Sequence, residues 1–247
     1  MKKYVVTASL LAGLSMISGS AFAQVSGTVG ANYSRNDDTD SDAYGVNGGV
    51  TIPTSGSIAF LLEGGYSTND DADIDTLSGT AHLISRNDSQ AFGGFATLAH
   101  ADGGGADVDI YGIGGEYAKF FNQGTLAFGL SYLTADDTDV DATALTGEYR
   151  IFATDNLRFD LGAGYGIIDT PLGDDDGFSL GAGVEYRFGG SPISLGANVH
   201  RLDSDGGDST VFGATLRFDF GNGSLKERDR KGNTFGGLNG LNQVFLQ

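Results

Sequence analysis

The sequence predicts an all-β fold, a single transmembrane antiparallel up-and-down barrel of about twelve strands that follows a cleaved export signal. Three observations carry that expectation. Segment after segment of about ten residues alternates apolar with small or polar side chains, the period of a strand whose two faces meet unlike surroundings. The connections between segments fall alternately into short turns and longer acidic loops. No stretch after Ala23 is apolar enough for a membrane helix, so any crossing must be made by strands.

The chain opens with Lys2 and Lys3, continues through an apolar stretch from Tyr4 to Ile17, and closes on Ser20-Ala21-Phe22-Ala23. That is the three-part layout of a secretory signal with an Ala-x-Ala cleavage site, and it assigns residues 1–23 to a signal peptide cut after Ala23. The apolar stretch falls short of the roughly 20 residues that a spanning helix needs. Export leads to a compartment where disulfides form, yet the chain has no cysteine, so its stability must come from elsewhere, as a closed hydrogen-bonded sheet would provide. Lys plus Arg number 14 against 32 Asp plus Glu, a net charge of -18 that argues against nucleic acid as a partner. Glycine is abundant at 41, but the regular aromatic and β-branched residues between the glycines argue against disorder.

Strands are expected near 24–35, 43–52, 57–67, 76–85, 90–99, 108–119, 125–134, 142–152, 157–168, 177–188, 193–201 and 210–220. The clearest has Leu157, Phe159, Leu161, Ala163, Tyr165 and Ile167 on one face and Arg158, Asp160, Gly162, Gly164 and Gly166 on the other. Segments 90–99 and 108–119 alternate poorly and carry paired glycines, which leaves ten or fourteen strands open as alternatives. Short turns such as Arg86-Asn87-Asp88-Ser89 and Ala153-Thr154-Asp155-Asn156 follow the even strands. Acidic loops at 36–42, 69–75, 102–107, 136–141, 169–177 and 203–208 follow the odd ones, so both ends of the barrel fall at the short-turn rim, read as periplasmic. Tyr33, Tyr44, Tyr66, Tyr111, Tyr132 and Tyr165 lie beside the acidic loops and Phe188, Phe218 and Phe220 at the opposite rim, as aromatic girdles at two membrane interfaces do. In a soluble sandwich the second face should carry many charges, whereas here it is mostly Gly, Ser, Thr, Ala and Asn.

The last strand, Thr210-Val211-Phe212-Gly213-Ala214-Thr215-Leu216-Arg217-Phe218-Asp219-Phe220, resembles the final-strand assembly signal of outer-membrane proteins, here Gly213, Leu216, Phe218 and Phe220. With the export signal, nearly the whole mature chain is similar to the porin-like outer-membrane β-barrel proteins of Gram-negative bacteria. The resemblance implies residence in the outer membrane, contact with its lipid and lipopolysaccharide, and insertion by the barrel-assembly machinery. It speaks for architecture rather than for a substrate. Two departures stand out. No loop is long enough to fold inward as a constriction, and the chain runs on past the terminal aromatic. Residues 221–247 carry Lys226, Arg228, Arg230 and Lys231, and are expected to form a periplasmic tail. Disorder, contact with peptidoglycan and entry into the barrel mouth stand as alternatives for it.

The alternation turns twelve titratable side chains toward the lumen: Glu63, His82, Glu116, Glu148, Arg150, Arg158, Asp160, Glu185, Arg187, His200, Arg217 and Asp219. Diagonal pairs of Arg150 with Asp160 and Glu148 with Arg158 are expected between neighbouring strands. Such a lattice makes either a transverse field that sorts small polar solutes or a salt-bridged closure of the interior. Lumen glycines, Gly30, Gly45, Gly49, Gly162, Gly164, Gly181, Gly183, Gly196 and Gly213, either leave the interior open or relieve crowding, and twelve strands lie between the filled eight-stranded barrel and the wide sixteen-stranded channel. The acidic loops lack EF-hand spacing, so a solvated acidic surface is expected, with shared divalent-ion bridging to lipopolysaccharide phosphates as the intermediate reading and no specific metal or cofactor. His82, His100 and His200 sit in no recognisable nucleophile motif, which argues against a hydrolase. The functional expectation is passive diffusion of small hydrophilic solutes. The alternative is a non-conducting structural or adhesive barrel acting through its acidic loops.

Overall fold

A computed structural model describes residues 25–235 except 55, 104, 105, 137, 205 and 206. The expected signal peptide and the last residues of the tail lie outside the described residues. Twelve strands follow in chain order: β1 (Ser26–Asn36), β2 (Ser41–Pro53), β3 (Ile58–Asn69), β4 (Ile74–Arg86), β5 (Gln90–Gly103) and β6 (Ala106–Phe121) make the first half. The second half is β7 (Gly124–Ala135), β8 (Val140–Thr154), β9 (Leu157–Thr170), β10 (Gly173–Arg187), β11 (Ile193–Ser204) and β12 (Gly207–Phe220). One helix, α1 (Leu225–Lys231), comes after them. Each strand pairs antiparallel with its chain neighbours, and the ring closes where β1 meets β12, from Gly27 opposite Phe220 to Asn36 opposite Val211. The expected count of twelve is the count observed.

Closure decides which face is which. With every strand paired on both sides, no row of backbone N–H and C=O groups is left open to hydrocarbon, where each would cost several kcal/mol. Outward residues then need only be apolar. Mid-strand positions such as Leu98, Ile113, Leu130, Leu145, Leu161 and Leu180 are exposed, Ile113 at 63% and Leu98 at 60%. Large aliphatic side chains exposed to that degree on every strand of the middle band form a surface suited to lipid and not to water. Among the described residues no helix is long and apolar enough to cross a membrane.

The long-loop rim differs from the expectation in one respect. Residues 102–107, 169–177 and 203–208, read from sequence as loops, are mostly strand, because the ladders continue upward through Asp102 opposite Asp107, Asp169 opposite Asp174 and Asp203 opposite Asp208. Aspartate has a low strand propensity, but pairing with the neighbouring strand satisfies the backbone while the carboxylates stay in water. The acidic tips at 36–42 and 69–75 are tight turns. Asn36 Oδ1 accepts from the backbone N–H groups of Asp38 and Thr39, Asn69 Oδ1 does the same for Asp71 and Ala72, and Asp40 and Asp73 close the turns with φ of 58° and 51°. Below them, outward-facing tyrosines brace the hairpins: the hydroxyl of Tyr33 donates to Asp42 at 2.7 Å and that of Tyr66 to Asp75 at 2.8 Å.

A charge placed in the outward band should be costly in proportion to its depth. Leu145→Arg is expected to lower the stability of the refolded barrel in bilayers by about 2–4 kcal/mol, the scale for a cation at the midplane of a barrel's lipid face. Reversible urea unfolding in vesicles measures it, and an unchanged midpoint would place Leu145 outside the hydrocarbon.

Candidate functional site in the lumen

Inside the barrel the wall divides into two unlike halves near the short-turn rim. On β3 to β7 the inward residues are mostly apolar: Leu61, Ile84, Ala91, Ala118, Phe120 and Ala127 form one buried cluster, with Arg86 and Thr125 beside it. On β8 to β12 they are charged. Arg150 lies 2.6 Å from Glu148 on its own strand, Arg158 lies 2.8 Å from Asp160 and 3.3 Å from Glu185, Arg217 lies 3.1 Å from Glu185, and Arg187 lies 3.6 Å from Asp219. This corrects the expected diagonal pairs. Arg150 and Asp160 face each other across the β8–β9 ladder, yet each bonds along its own strand two residues away, where the side chains share a face and reach without crossing the strand gap. Of the side chains expected to face the lumen, Glu63, Glu116, Glu148, Arg150, Arg158, Asp160, Glu185, His200 and Arg217 line its cavity, and His82, Arg187 and Asp219 are buried. Glu63, His82 and Glu116 form a separate set, with His82 Nδ1 2.9 Å from Glu116 and Nε2 3.0 Å from Glu63.

The chain that follows β12 enters this space. Gly221 turns it at φ 77°, where a Cβ would lie 2.4 Å from the carbonyl oxygen of Val25, so no larger residue fits the bend. Ser224 caps α1, its hydroxyl accepting from the N–H of Glu227 at 3.1 Å, while the Glu227 carboxylate accepts from the N–H of Gly223 at 2.7 Å, a reciprocal pattern close to a capping box. A seven-residue helix is too short to persist alone, so its stability must come from what it packs against. Arg228 donates to Glu185 at 2.5 and 3.0 Å and to Asp219 at 3.1 Å. Asp229 accepts from Arg150 at 2.6 Å and from the hydroxyl of Thr125 at 2.6 Å. Beyond the helix Arg150 also donates to the carbonyl of Thr234 at 2.6 Å, Arg86 donates to that of Gly232 at 3.1 Å, and Asn233 donates to Glu63 at 2.8 Å. Phe235 completes the apolar cluster with Leu61 and Ile84. The segment's charged face thus meets the charged half of the wall and its aromatic the apolar half.

Sequence reasoning named the wall residues and missed Arg86, Arg228, Asp229, Asn233 and Phe235 as their partners. The signals present were the Ser224-x-x-Glu227 spacing of a helix start and the loss of alternation in β5 and β6, whose inner faces are apolar where Phe235 docks.

Above the segment lies a cavity of about 550 Å³ that extends toward the acidic-loop rim. Its walls carry Asn32, Asn47, Ser78, Thr146, Asn198 and Thr215 together with His200, and Arg228, Asn233, Thr234 and Phe235 line its lower end. Several lumen glycines make room for neighbours: a Cβ at Gly181 would lie 2.3 Å from His200 Nδ1, and one at Gly213 would lie 2.5 Å from Asn198 Oδ1. Those glycines relieve crowding on the wall of the cavity itself. His100 faces outward on β5, 2.7 Å from Asp109. The partners of His82 and His100 are carboxylates rather than a serine or threonine hydroxyl. Among the described residues no group of three or more His, Asp or Glu side chains is arranged to hold a metal ion.

No protein-family model matches the chain, and no curated protein matches it. Solved structures do. The KdgM porin superposes with a TM-score of 0.58 at 9% identity, covering 78% of this chain and 99% of that one. An outer-membrane channel from Pseudomonas putida F1 gives 0.57 at 12% identity, covering 79% and 95%. The β-domain of the Bordetella autotransporter BrkA gives 0.51 at 13% identity, covering 79% and 98%. The chain therefore has the fold of the porin-like outer-membrane β-barrel proteins. At these identities the likeness defines architecture, and what the lumen does must be read from its own residues.

Two outcomes are expected for the docked segment. Arg150→Ala leaves the Asp229 carboxylate, which is 1% exposed, without its cation, a loss of about 3–5 kcal/mol for a buried pair. Trypsin should then cut at Lys226, Arg230 or Lys231 at least tenfold faster in folded R150A barrels than in wild type, roughly a 1.4 kcal/mol effect or more; equal rates would mean that Asp229 does not depend on Arg150. The second concerns pH. The Gly223 N–H and, less strongly, Lys231 hold the Glu227 carboxyl below the ordinary glutamate value. Its contribution is therefore complete above that ordinary value and is lost as pH falls through the depressed one. Protection of α1 from an acid-active protease should fall over that range, and Glu227→Gln should already show weakened protection at neutral pH with a shallower acid dependence.

Proposed function

We propose that this protein is an outer-membrane channel for passive diffusion of small hydrophilic solutes. The observation that carries the reading is the polar cavity, open enough for small solutes and walled by amide and hydroxyl groups with balanced charges below, inside a barrel whose outer band is apolar. Likeness in fold to a porin and to an outer-membrane channel supports it. On this reading the twelve inward titratable side chains line the solute path, the termini lie in the periplasm, and the acidic loops face outward against lipopolysaccharide. Gly213, Leu216, Phe218 and Phe220 on the closing strand serve as the signal read by the barrel-assembly machinery. The chain carries out no catalysis.

Refolded full-length protein in a planar bilayer should give discrete current steps. Arg217→Gln, which removes a lumen cation beside Glu185, should shift the reversal potential in a salt gradient toward cation preference. Silence from folded, inserted protein, with its docked segment both intact and released, would remove the channel reading. The search would then turn to a structural or adhesive role for the acidic loops.

A further inference from the structure

We propose that residues 221–235 are a resident plug that closes the lumen at the short-turn rim and can leave it reversibly. The inference rests on the channel reading above and adds a gate to it.

The first argument is complementarity. Arg228 and Asp229 are side by side in sequence but engage different strands, Arg228 bridging β10 and β12 and Asp229 bridging β7 and β8. Farther along, Asn233 reaches β3 and Phe235 packs among residues of β3 to β7. A segment bonded through Gly232 to Arg86 on β4 and through Arg228 to Glu185 on β10, strands on opposite sides of the ring, crosses the bore instead of lining one wall.

The second argument is that the ion pairs of the charged half of the wall are complete without it. Arg150 keeps Glu148, Glu185 keeps Arg158 and Arg217, and Asp219 keeps Arg187 when the segment departs. The charged half of the wall holds Arg150, Arg158, Arg187 and Arg217 against Glu148, Asp160, Glu185 and Asp219, and the plug brings one more of each sign in Arg228 and Asp229. Withdrawal leaves each of these eight wall charges an ion-pair partner, whereas a buried charge left unpaired is the usual obstacle to opening; Arg86 on β4 loses the carbonyls of Arg230 and Gly232 and is wetted as the segment leaves. The groups that lose partners, Arg228 and Asp229, go with the plug into water. What favours the closed state is the pairing of Arg228 and Asp229 with the wall together with the apolar half, since Leu61, Ile84 and Phe120 would be wetted once Phe235 leaves.

The third argument is the kind of attachment. Among the described residues, a single backbone-to-backbone hydrogen bond joins the segment to the barrel, from the N–H of Lys226 to the carbonyl of Asp155 at 3.1 Å. No ladder locks it as a thirteenth strand. Side-chain bonds hold it, and the tether is the bend at Gly221 and Gly223.

The test compares three forms of the full-length chain in planar bilayers, each first shown to be folded by its heat-modifiable migration on gels. They are wild type, Arg228→Gln/Asp229→Asn, and Thr125→Cys/Asp229→Cys, whose only cysteines can be bridged by a reversible bis-thiosulfonate reagent because Thr125 and Asp229 side chains are 2.6 Å apart and the native chain has none. Wild type should be mostly closed with brief openings. The charge-neutralised form should raise the open fraction by about tenfold or more, as expected when buried pairs that favour one state are removed. The bridged form should lose its openings and regain them when reductant is added. Equal open fractions in wild type and the neutralised form, or openings that bridging leaves unchanged, would overturn the plug while leaving the channel intact. Failure of the bridge to form in folded protein would show that the segment does not sit against β7, and silence in all three forms would overturn the channel reading itself.

Discussion

The seam between β1 and β12 is the contact on which the rest of the structure depends. Without it the other ladders would form an open sheet with two unpaired edges, and such edges cannot stand in hydrocarbon. Once it closes, inside and outside become distinct solvents, and the period of two in the sequence acquires its meaning. Gly27 matters here for a local reason. It lies opposite Phe220 at the foot of the seam, and a Cβ there would meet the Phe220 ring at 2.4 Å and the carbonyl of Gly49 at the same distance. The aromatic that ends the last strand is accommodated by the glycine that begins the first.

Closure also creates a problem that the lumen must solve. An interior wide enough to hold water leaves inward charges half-solvated, and an interior narrow enough to be dry requires each charge to have a partner. The two ends of this lumen resolve the problem differently. Toward the acidic loops the wall is amide and hydroxyl, able to trade hydrogen bonds between water and solute at little cost. Toward the short turns the charges are dense and buried, with Glu185 2% and Asp219 2% exposed, and they are mutually paired. The chain places a polar segment of its own, with Phe235 against the apolar wall, at that second end, so the drier region lies where the pairs are.

The outward face was legible in the sequence almost residue by residue, because lipid selects one property and leaves little else to decide. Leu157 to Ile167 alternates cleanly since its inner neighbours are glycines and charged side chains. In β5 and β6 the inner face is itself apolar at Ala91, Phe95, Ala118 and Phe120, so the period blurred at the strands that face Phe235. The upper hairpins read as acidic loops in the sequence because aspartate has a low strand propensity, whereas Asp174, Asp175 and Asp176 lie in a ladder paired with Asp169, Ile168 and Ile167. The lumen charges were found by parity alone. Their pairing was not, because reach along one strand competes with reach across the gap, and sequence spacing favours neither.

The tail was the hardest part to read, and the reason is physical. A run such as Leu225-Lys226-Glu227-Arg228-Asp229-Arg230-Lys231 is what a solvated helix or a disordered end looks like, with one aliphatic residue among six charges. Only the shape and charge of the wall decide that two of those six are buried. Arg228 and Asp229 find carboxylates and an arginine already held in place by the barrel, so little ordering is needed on the wall side when they dock. Lys226 and Lys231 pair near the surface with Asp155 and Glu227 and contribute little. The docked state therefore rests on Arg228, Asp229, the buried side chains of Leu225 and Phe235, and the few bonds that Asn233, Gly232 and Thr234 make with the wall. That is enough to order a short helix, and it concentrates the attachment in a handful of side-chain contacts instead of a backbone ladder.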